Sequence, residues 1–245
     1  NVGASVTGSN GDTFTVGSTG AMTFNPGTAF NDLAVGETRT TSVTYTVSDG
    51  EGGTDTATVT YTVTGTNDAP TSTGIATQNS SDSGSVSLNV SGNFSDPDGS
   101  DVLVFNDGGT LPPGLSIDPN TGLITGTIDP SASVGGPYTV TITATDPSGA
   151  QTSQTFTWNV TNPAPVANND SAAITENAST GGNVLTTGAG ADTDPDGDAL
   201  IVTQVDGVSV VAGPTGTAVI GSNGGTFVVS HDGTWTFNPG MAFDN

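Results

Sequence analysis

A strict alternation of apolar and polar side chains marks four separate runs of this sequence. In the first run, single threonines separate Val43, Tyr45 and Val47. Side chains point to alternate faces along an extended strand, so this period places the apolar residues of a run on one face. The same period returns at Val59–Val63, Val140–Ala144 and Phe156–Val160. No window has the spacing of an amphipathic helix. The sequence therefore predicts an all-β protein whose strands each bury one face.

Turn-forming residues separate these runs at a spacing typical of β-sandwiches. They are Asp49-Gly50, Pro119-Asn120 with Gly122, Pro147-Ser148-Gly149 and Asp232-Gly233. Each pattern is a turn signal in its own right, so we expect chain reversals at all four places.

The chain also repeats itself. Residues 8–32 match residues 221–245 at 15 of 25 positions without a gap, at an offset of 213 residues. A fixed internal period is the signature of a tandem array. Two linkers, Thr64–Pro70 and Thr161–Asp170, each follow an alternating strand. We therefore predict three segments: 1–66 as the C-terminal part of one sandwich, 67–162 as a complete sandwich, and 163–245 as the N-terminal part of the next sandwich.

The charge balance excludes one class of partner. The chain has 24 acidic residues and a single basic one, Arg39, for a formal net charge of −23. Phosphate binding requires lysine and arginine, so nucleic acid is excluded as a partner. Like charges at this density oppose compaction unless cations neutralise them.

There is no cysteine and no apolar run of about 18 residues. We expect a soluble internal piece of an extracellular protein, without its own export or anchoring signal and without direct membrane insertion.

The acidic residues are concentrated in two similar blocks. The first block is NFSDPDGSDVL, with Asp96, Asp98 and Asp101, and the second is ADTDPDGDAL, with Asp192, Asp194, Asp196 and Asp198. Neighbouring carboxylates raise each other's pKa unless a cation or hydrogen-bond donors compensate. Ca²⁺ accepts about 6 to 8 oxygen ligands in flexible geometry, whereas Zn²⁺ normally recruits histidine or cysteine. The blocks therefore favour Ca²⁺ over their alternative interpretation as plain solvated turns.

An EF-hand is the first calcium motif to test on the second block. Asp192, Asp194, Asp196 and Asp198 fit the early loop positions, but the position of the bidentate glutamate holds Thr203. No helix flanks the block either, so the EF-hand interpretation fails. Each block instead follows a linker rich in oxygen-bearing side chains. These linker residues are Asn67 and Asp68 in the first linker, and Asn168, Asn169 and Asp170 in the second.

Several motifs resemble known bacterial repeats. NFSDPDGSD, LPPGLSIDPNTGLITG and YTVTITATDPSGA look like the dystroglycan-type bacterial cadherin-like domain, a relative of the immunoglobulin (Ig) fold. APVANNDSAAITEN, GTWTFNPG and YTVSDGEGGTDTATVTYTVTGTNDAP resemble the VCBS or cadherin-like repeats of giant RTX-type adhesins. The resemblance implies a linear array of Ig/cadherin-like β-sandwiches that extends a surface adhesin used in adhesion and biofilm formation. It also implies Ca²⁺ at the domain junctions.

Carried over residue by residue, the resemblance implies two junction sites. The first would use Asn67, Asp68, Asp96, Asp98 and Asp146, with Asp101. The second would use Asp170, Asp194, Asp196 and Asp198, with Asn168, Asn169 and Asp192. Glu176 would match the early acidic residue of cadherins, whereas the middle segment has Gln78 near that place. Asp49 and Glu51 would serve a site whose aspartate cluster lies in the preceding repeat.

Three functions remain open from the sequence. The first is a non-enzymatic, calcium-stiffened extender whose partners are neighbouring repeats of the same polypeptide. The second is a calcium-dependent module that binds carbohydrate or peptide. The third is a filament subunit completed by strand exchange, with half-domains associating head to tail. An enzyme is disfavoured because His231 is the single histidine and lies in a predicted turn. Trp158 and Trp235 alternate with other apolar residues and are expected in cores.

Overall fold

The computed structural model describes residues 3–176, 178–186, 190–213 and 215–241. Within these residues the regular secondary structure is almost entirely β-strand, with two short 3₁₀ turns at Ser91–Asn93 and Ala132–Gly135 and no α-helix. The chain forms two compact units. The first comprises Asn1–Gln78, Ser85–Gly126 and Tyr138–Trp158; the second comprises Asn79–Gly84, Thr127–Pro137 and Asn159–Asn245.

Twenty strands are present among the described residues. In chain order they are β1 (Ser5–Thr7), β2 (Thr13–Val16), β3 (Met22–Asn25), β4 (Thr38–Ser48), β5 (Thr54–Thr64), β6 (Thr71–Ser72), β7 (Gln78–Ser81), β8 (Ser85–Asn89), β9 (Phe94–Ser95), β10 (Val104–Asn106), β11 (Leu115–Ile117), β12 (Leu123–Thr127), β13 (Tyr138–Thr145), β14 (Gln151–Thr161), β15 (Thr180–Asn183), β16 (Gln204–Val205), β17 (Val208–Ser209), β18 (Thr217–Ile220), β19 (Thr226–Val229) and β20 (Thr234–Asn238).

The first unit opens with a three-stranded antiparallel sheet, β1-β2-β3, and a long hairpin, β4-β5. The hairpin pairs eleven residues on each strand, with Val43 opposite Val59. Tyr61 of the hairpin stacks on Phe24 of β3 at 5.0 Å between ring centroids, and it packs on Phe14 of β2 at 5.6 Å. Phe14 is completely buried. These rings form the core between the short sheet and the hairpin.

A second core in the first unit forms around β13, which lies between β10 and β14. Val140, Ile142 and Ala144 on one face of β13 have no exposed surface. Phe156 lies opposite Val140 on β14, and Trp158 on the same strand is 1% exposed. Burial of an aliphatic side chain of this size contributes about 1.5–3 kcal/mol, so this alternation supplies much of the local stability. Smaller pairings, β6-β9 and β11-β12, complete the region.

The second unit is built on a four-stranded sheet in the order β15-β20-β19-β18. Phe227 of β19 pairs with Phe237 of β20, and Val229 pairs with Trp235. Phe14 and Phe24 pair in the same way at the equivalent positions of the repeat, 213 residues earlier. The two copies of the repeat therefore build the same three-stranded core element.

The all-β fold predicted from the alternating runs is confirmed, since all four runs lie in β4, β5, β13 and β14. The turns lie where the sequence places them, and Gly50 and Gly233 adopt φ values of 81° and 80° that favour glycine. The predicted boundaries of the segments 1–66, 67–162 and 163–245 stay a prediction.

Candidate metal centres

The first acidic block lies in the loop that follows β9. The carboxylates of Asp96, Asp98 and Asp101 offer oxygens that all lie within 4.8 Å of one another. Asp98 is 1% exposed, and the other two are half-buried. We call these three residues, together with the linker and turn residues that contact them, the first cluster. Three carboxylates at this separation repel one another strongly when all are ionised.

Hydrogen bonds join the linker to this loop. The backbone N–H of Asp68 donates to Asp98 Oδ2 at 2.9 Å, and that of Asp98 donates to Asp96 Oδ1 at 2.9 Å. From the turn after β13, Asp146 accepts the Asn67 side-chain amide at 2.8 Å. All six residues predicted for the first site are thus brought together.

Several oxygens in the first cluster are buried without any donor. They are Asn67 Oδ1, Asp96 Oδ2 and Asp98 Oδ1. A buried carboxylate oxygen without a hydrogen bond is costly, and a bound cation is one way to compensate it. The set contains only carboxylate and amide oxygens, which are the donors that Ca²⁺ prefers. The residues present therefore fit a hard divalent cation.

The pKa shifts in the first cluster follow from crowding. Burial raises the pKa of Asp96, and the charges of Asp98, Asp146 and Asp68 add to that effect. Burial and neighbouring carboxylates, Glu37 among them, raise the pKa of Asp101. The Asn67 amide lowers the pKa of Asp146. The loop thus carries more negative charge than its own hydrogen bonds can compensate.

The second acidic block forms a matching second cluster in the second unit. Asp194, Asp196 and Asp198 present carboxylate oxygens within 4.8 Å of one another, and Asp196 is 8% exposed. The backbone N–H of Asp196 donates to Asp194 Oδ1 at 3.1 Å, as that of Asp98 does to Asp96 in the first cluster. Neither carboxylate oxygen of Asp196 has a donor. This set of oxygens also fits Ca²⁺.

Asp196 shows the largest pKa shift of the two clusters. The close approach of the Asp194 carboxyl raises the pKa of Asp196 to about 6, and burial and the charges of Asp194 and Asp198 add to the shift. The same pairing lowers the pKa of Asp194. Two ionised carboxylates this close repel each other, so a proton on one of them or a bound cation would stabilise the pair.

The second linker approaches its block along a different path. Val166 and Thr193 form an antiparallel bridge, with backbone hydrogen bonds of 2.7 and 3.0 Å. The backbone N–H of Asn168 donates to Asp192 Oδ1 at 2.7 Å. Asn168 and Asp192 therefore hold the linker beside the block, while Asp194, Asp196 and Asp198 form the acidic group itself.

Sequence reasoning missed Asp82, which follows β7 and is 3% exposed. Its Oδ1 accepts the backbone N–H of Ser133 at 2.8 Å, and its Oδ2 has no donor. The next residue, Ser83, lies with its hydroxyl 3.5 Å from the carbonyl oxygen of Asp196. The sequence signal that points towards it is the early acidic residue expected in the middle segment, where the pattern has Gln78, four residues before Asp82.

Five other predicted ligands lie outside the two acidic groups of the described residues. Asp49 and Glu51 lie at the exposed turn of the β4-β5 hairpin, where Asp49 Oδ1 accepts the Glu51 and Gly53 backbone N–H groups at 2.8 and 2.9 Å. Asp170 lines an apolar cavity of the second unit, and Glu176 lines another. Asn169 is exposed in the linker. Their roles as ligands stay predictions.

The single histidine lies in the predicted turn, and one of the two tryptophans expected in cores is fully buried. His231 occupies the turn between β19 and β20, and Trp158 is buried. Trp235 is half-buried and lines the apolar cavity that Asp170 also borders.

Two family models cover nearly the whole chain. The model described as "Bacterial Ig domain" matches residues 2–62 and 162–245, and the one described as "Putative Ig domain" matches residues 69–161. Together with the sheets described above, these matches define a protein built from immunoglobulin-like β-domains. The chain belongs to the bacterial Ig domain family, which confirms the resemblance to bacterial Ig-like repeats. Domains of this class are typically structural modules.

Comparison with solved structures gives distant matches. Mouse cadherin-23 EC22-24 is 16% identical, with a TM-score of 0.43 and coverage of 92% of this chain and 71% of that one. Protocadherin gamma B7 extracellular cadherin domains 1-4 is 14% identical, with a TM-score of 0.40 and coverage of 91% and 54%. A nucleoside hydrolase-related hypothetical protein from Saccharophagus degradans is 22% identical, with a TM-score of 0.31 and coverage of 38% and 26%.

The chain thus spans about a quarter to a half of the length of the first structures that it matches. No curated protein matches it. None of the helices among the described residues is long and apolar enough to cross a membrane.

Proposed function

We propose that this chain is a calcium-stiffened extender segment of a large bacterial surface protein, and that it acts as a structural spacer and not as an enzyme. One observation carries the proposal: both clusters contain buried carboxylate oxygens that no donor in the described residues satisfies. In the absence of a cation, these oxygens destabilise the loops that hold them. A divalent cation turns the same oxygens into a crosslink between chain segments.

The contacts of the first cluster show which segments such a crosslink would join. The Asp68 backbone comes from the linker after β5, the Asp98 carboxylate from the loop after β9, and Asp146 from the turn after β13. In addition, the Gly99 backbone N–H donates to the carbonyl oxygen of Asp32 at 3.2 Å. A cation here would fix the linker against two loops and a preceding segment, and so reduce its freedom to bend.

The second cluster supports the same function independently. Carboxylate oxygens of Asp194, Asp196 and Asp198 all lie within 4.8 Å of one another. They follow Thr193, which forms a β-bridge with Val166 of the second linker. Asp82 adds a buried carboxylate whose neighbour Ser83 contacts the Asp196 backbone. We include Asp82 among the residues that would serve this site.

The surface location and the adhesin context are parts of the proposal. Bacterial Ig domains are repeated modules, and a net charge of −23 is compatible with a cation-rich extracellular medium. Stiff spacers of this kind would hold a distant adhesive domain away from the cell and so contribute to adhesion and biofilm formation.

Calorimetric titration of the metal-free full chain with CaCl₂ tests the proposal. We expect binding by two classes of sites, with Asp98→Asn weakening one class and Asp196→Asn the other. Titration with MgCl₂ is the matched control, because Mg²⁺ demands a stricter octahedral geometry. The absence of calcium binding in a preparation verified as metal-free would refute the proposed function.

A further inference from the structure

The single arginine of the chain binds one short loop of the first unit. Arg39, near the start of β4, donates through Nη1 to Asp32 Oδ1 at 2.9 Å and through Nη2 to Asp32 Oδ2 at 2.6 Å. The same Nη1 donates to the carbonyl oxygen of Ala29 at 3.0 Å, and the guanidinium lies 5.9 Å from the centre of the Phe30 ring. A planar guanidinium grips both oxygens of a carboxylate at once, so Arg39 fixes the position of Asp32 and also balances its charge.

We call residues 28–37 the clasp loop. Phe30 and Ala34 of this loop are buried, and Phe30 packs edge-on against Phe24 of β3 at 6.2 Å between ring centroids. Two local bonds close the end of the loop: the Glu37 N–H donates to the Ala34 carbonyl at 3.0 Å, and Glu37 Oε2 accepts the Ala34 N–H at 3.1 Å. The loop therefore has a defined conformation, which the arginine pair completes.

The clasp loop contacts the first linker where the linker begins. The Gly65 N–H donates to the Glu37 carbonyl at 2.8 Å, and the Gly65 carbonyl accepts the Gly36 N–H at 3.4 Å. Gly65 is so close to the loop that a Cβ atom there would lie 2.3 Å from the carbonyl oxygens of Leu33 and Ala34. The absence of a side chain at this position thus allows the linker to lie directly on the loop.

The clasp loop also contacts the first acidic block. The Gly99 N–H, in the turn of that block, donates to the Asp32 carbonyl oxygen at 3.2 Å. The Glu37 carboxylate is near enough to Asp101 to add to the charges that raise the pKa of Asp101. Asp32 therefore bonds to Arg39 through its side chain and to the acidic block through its backbone.

Three segments of the first unit thus form a closed set of contacts. The clasp loop holds the linker at Gly65. The linker holds the acidic block, since the Asp68 N–H donates to Asp98 Oδ2. The block returns to the clasp loop through the bond from Gly99 to Asp32. A site whose parts are already ordered binds its ligand more tightly, because less conformational freedom is lost on binding.

We propose that Arg39 is a positioning residue for the first cluster: it holds the Asp32 carbonyl where the Gly99 N–H bonds to it, and so preorganises the acidic block for calcium. Within the described residues, the side-chain hydrogen bonds of Arg39 go to Asp32 and Ala29 and not to the carboxylates of the cluster. The proposal rests on the proposed calcium function and adds to it a remote determinant of affinity.

The sign of the effect separates preorganisation from charge. A positive charge repels a cation, so charge alone predicts that Arg39→Gln strengthens calcium binding. Preorganisation predicts the opposite. In calorimetric titration of the metal-free full chain with CaCl₂, we expect Arg39→Gln to weaken the class of sites that Asp98→Asn weakens by about three- to fivefold, the size typical of a well-formed pair at a partly exposed surface. The class that Asp196→Asn weakens should stay unchanged. Equal or tighter binding at the first class would overturn the proposal.

A variant of unchanged net charge makes the distinction sharper. Arg39→Gln/Asp32→Asn removes one charge of each sign, so charge alone predicts the natural affinity. We expect the double variant to lose as much affinity at the first class as Arg39→Gln alone, because the two side chains act as a pair. Arg39→Lys keeps the charge without the two-point grip and should recover only part of the loss. The natural affinity in the double variant would contradict the positioning role.

A stability control separates positioning from general damage to the fold. Tyr61→Leu removes the ring contacts with Phe14 and Phe24 in the same unit. We expect it to lower the melting temperature at least as much as Arg39→Gln does, and to leave the calcium affinity of the first class unchanged. Equal losses of affinity in these two variants would show that Arg39 only supports the fold.

Amide hydrogen exchange in EDTA tests the clasp loop without any metal. We expect the Gly65 and Gly99 amides to be protected in the natural chain and to exchange faster in Arg39→Gln. Faster exchange in a chain that binds no calcium would leave the clasp contacts standing while the proposed function fails. Unchanged exchange and unchanged affinity in a chain that binds calcium would overturn the role of Arg39 while the proposed function stands.

Discussion

At the scale of single residues, the two Asp-Pro-Asp-Gly loops share one hydrogen-bonding arrangement. In each loop, the backbone N–H of the second aspartate bonds to the side chain of the first, at 2.9 Å in one cluster and 3.1 Å in the other. This bond turns the second carboxylate inward, where Asp98 and Asp196 are buried. Buried carboxylates without enough donors are the residues most sensitive to a bound cation.

Replacement of Asp98 by Asn removes the negative charge and keeps the shape of the side chain. We expect Asp98→Asn to weaken calcium binding at the first cluster by about tenfold or more, which corresponds to about 1.4 kcal/mol. The control is Asp118→Asn, because Asp118 is an exposed turn residue that accepts the Asn120 N–H outside both clusters. Calorimetry compares the two variants. Equal affinities would contradict the assignment of Asp98.

Asp196 links stability to pH in the metal-free protein. Its pKa is raised from 3.8 to about 6 in the folded protein, so folding favours the protonated carboxyl. The associated stability is complete below the unfolded-state value of 3.8 and is lost as pH rises through about 6. Without metal, we therefore expect the melting temperature of the second unit to fall across this window as pH increases.

Calcium is expected to reverse that trend, since it binds the ionised carboxylates and competes with the proton. Melting curves in EDTA and in CaCl₂ measure both effects. Asp196→Asn should flatten the metal-free profile, whereas Asp206→Asn, outside the cluster, should leave it unchanged. A flat profile for the natural chain would show that Asp196 does not titrate in this range.

The sequence predicted those site carboxylates that lie close to one another along the chain. Asp96, Asp98, Asp194 and Asp196 were recognised because their spacing puts several charges in one loop. Asp82 was not, because its burial depends on contacts with residues about 50 and 80 positions away, at Ser133 and Thr161. A single aspartate in a Ser-rich turn carries no local signal of such contacts.

At the scale of elements, β13 shows how alternation is converted into stability. Its buried face carries Val140, Ile142 and Ala144, and its other face carries threonines, of which Thr141 and Thr143 form cross-strand hydroxyl contacts with β14. Hydroxyl pairs of this kind tolerate solvent, whereas the aliphatic face depends on close packing.

Truncation of Ile142 tests that dependence. We expect Ile142→Ala to lower the free energy of unfolding of the first unit by about 3 kcal/mol, because the side chain is fully buried and leaves a cavity. Val35→Ala is the control in the same unit: Val35 is 59% exposed, so its change should stay within about 0.5 kcal/mol. Urea unfolding at fixed calcium measures both. A loss below about 1 kcal/mol for Ile142→Ala would contradict the packing described here.

The long strands could be predicted from sequence and the short ones could not. Alternation over five or more residues identified β4, β5, β13 and β14. Strands of two residues, such as β6 and β9, are too short for an alternation to repeat, and tertiary pairing alone defines them. The packing of Tyr61 on Phe14 and Phe24 could not be predicted either. Periodicity identifies the buried face of a strand, but not the residues that pack against that face.

At the scale of the whole molecule, the charge of −23 has to be compensated without lysines. Arg39 pairs with Asp32 at 2.6 Å, and it is the chain's single basic side chain apart from His231. Screening by salt reduces long-range repulsion, but it acts weakly on buried carboxylates. Specific cation binding is therefore the compensation expected for the two clusters.

Protease sensitivity reports on the linkers within the full chain. We expect residues 64–70 and 161–170 to be cleaved in EDTA by a broad-specificity protease and to be protected in CaCl₂, because bound cations oppose local opening. MgCl₂ at the same concentration should protect less. Identical cleavage in all three buffers would show that the linkers do not respond to calcium.

Small-angle X-ray scattering of the metal-free chain during titration with CaCl₂, at a protein concentration low enough to prevent association, tests the stiffening of the chain most directly. The scattering is expected to change from that of a flexible chain to that of a less flexible one as the two clusters fill, and EDTA should reverse the change. The Asp98→Asn/Asp196→Asn variant should remain flexible throughout. A profile of the natural chain that does not change with calcium would contradict the extender function.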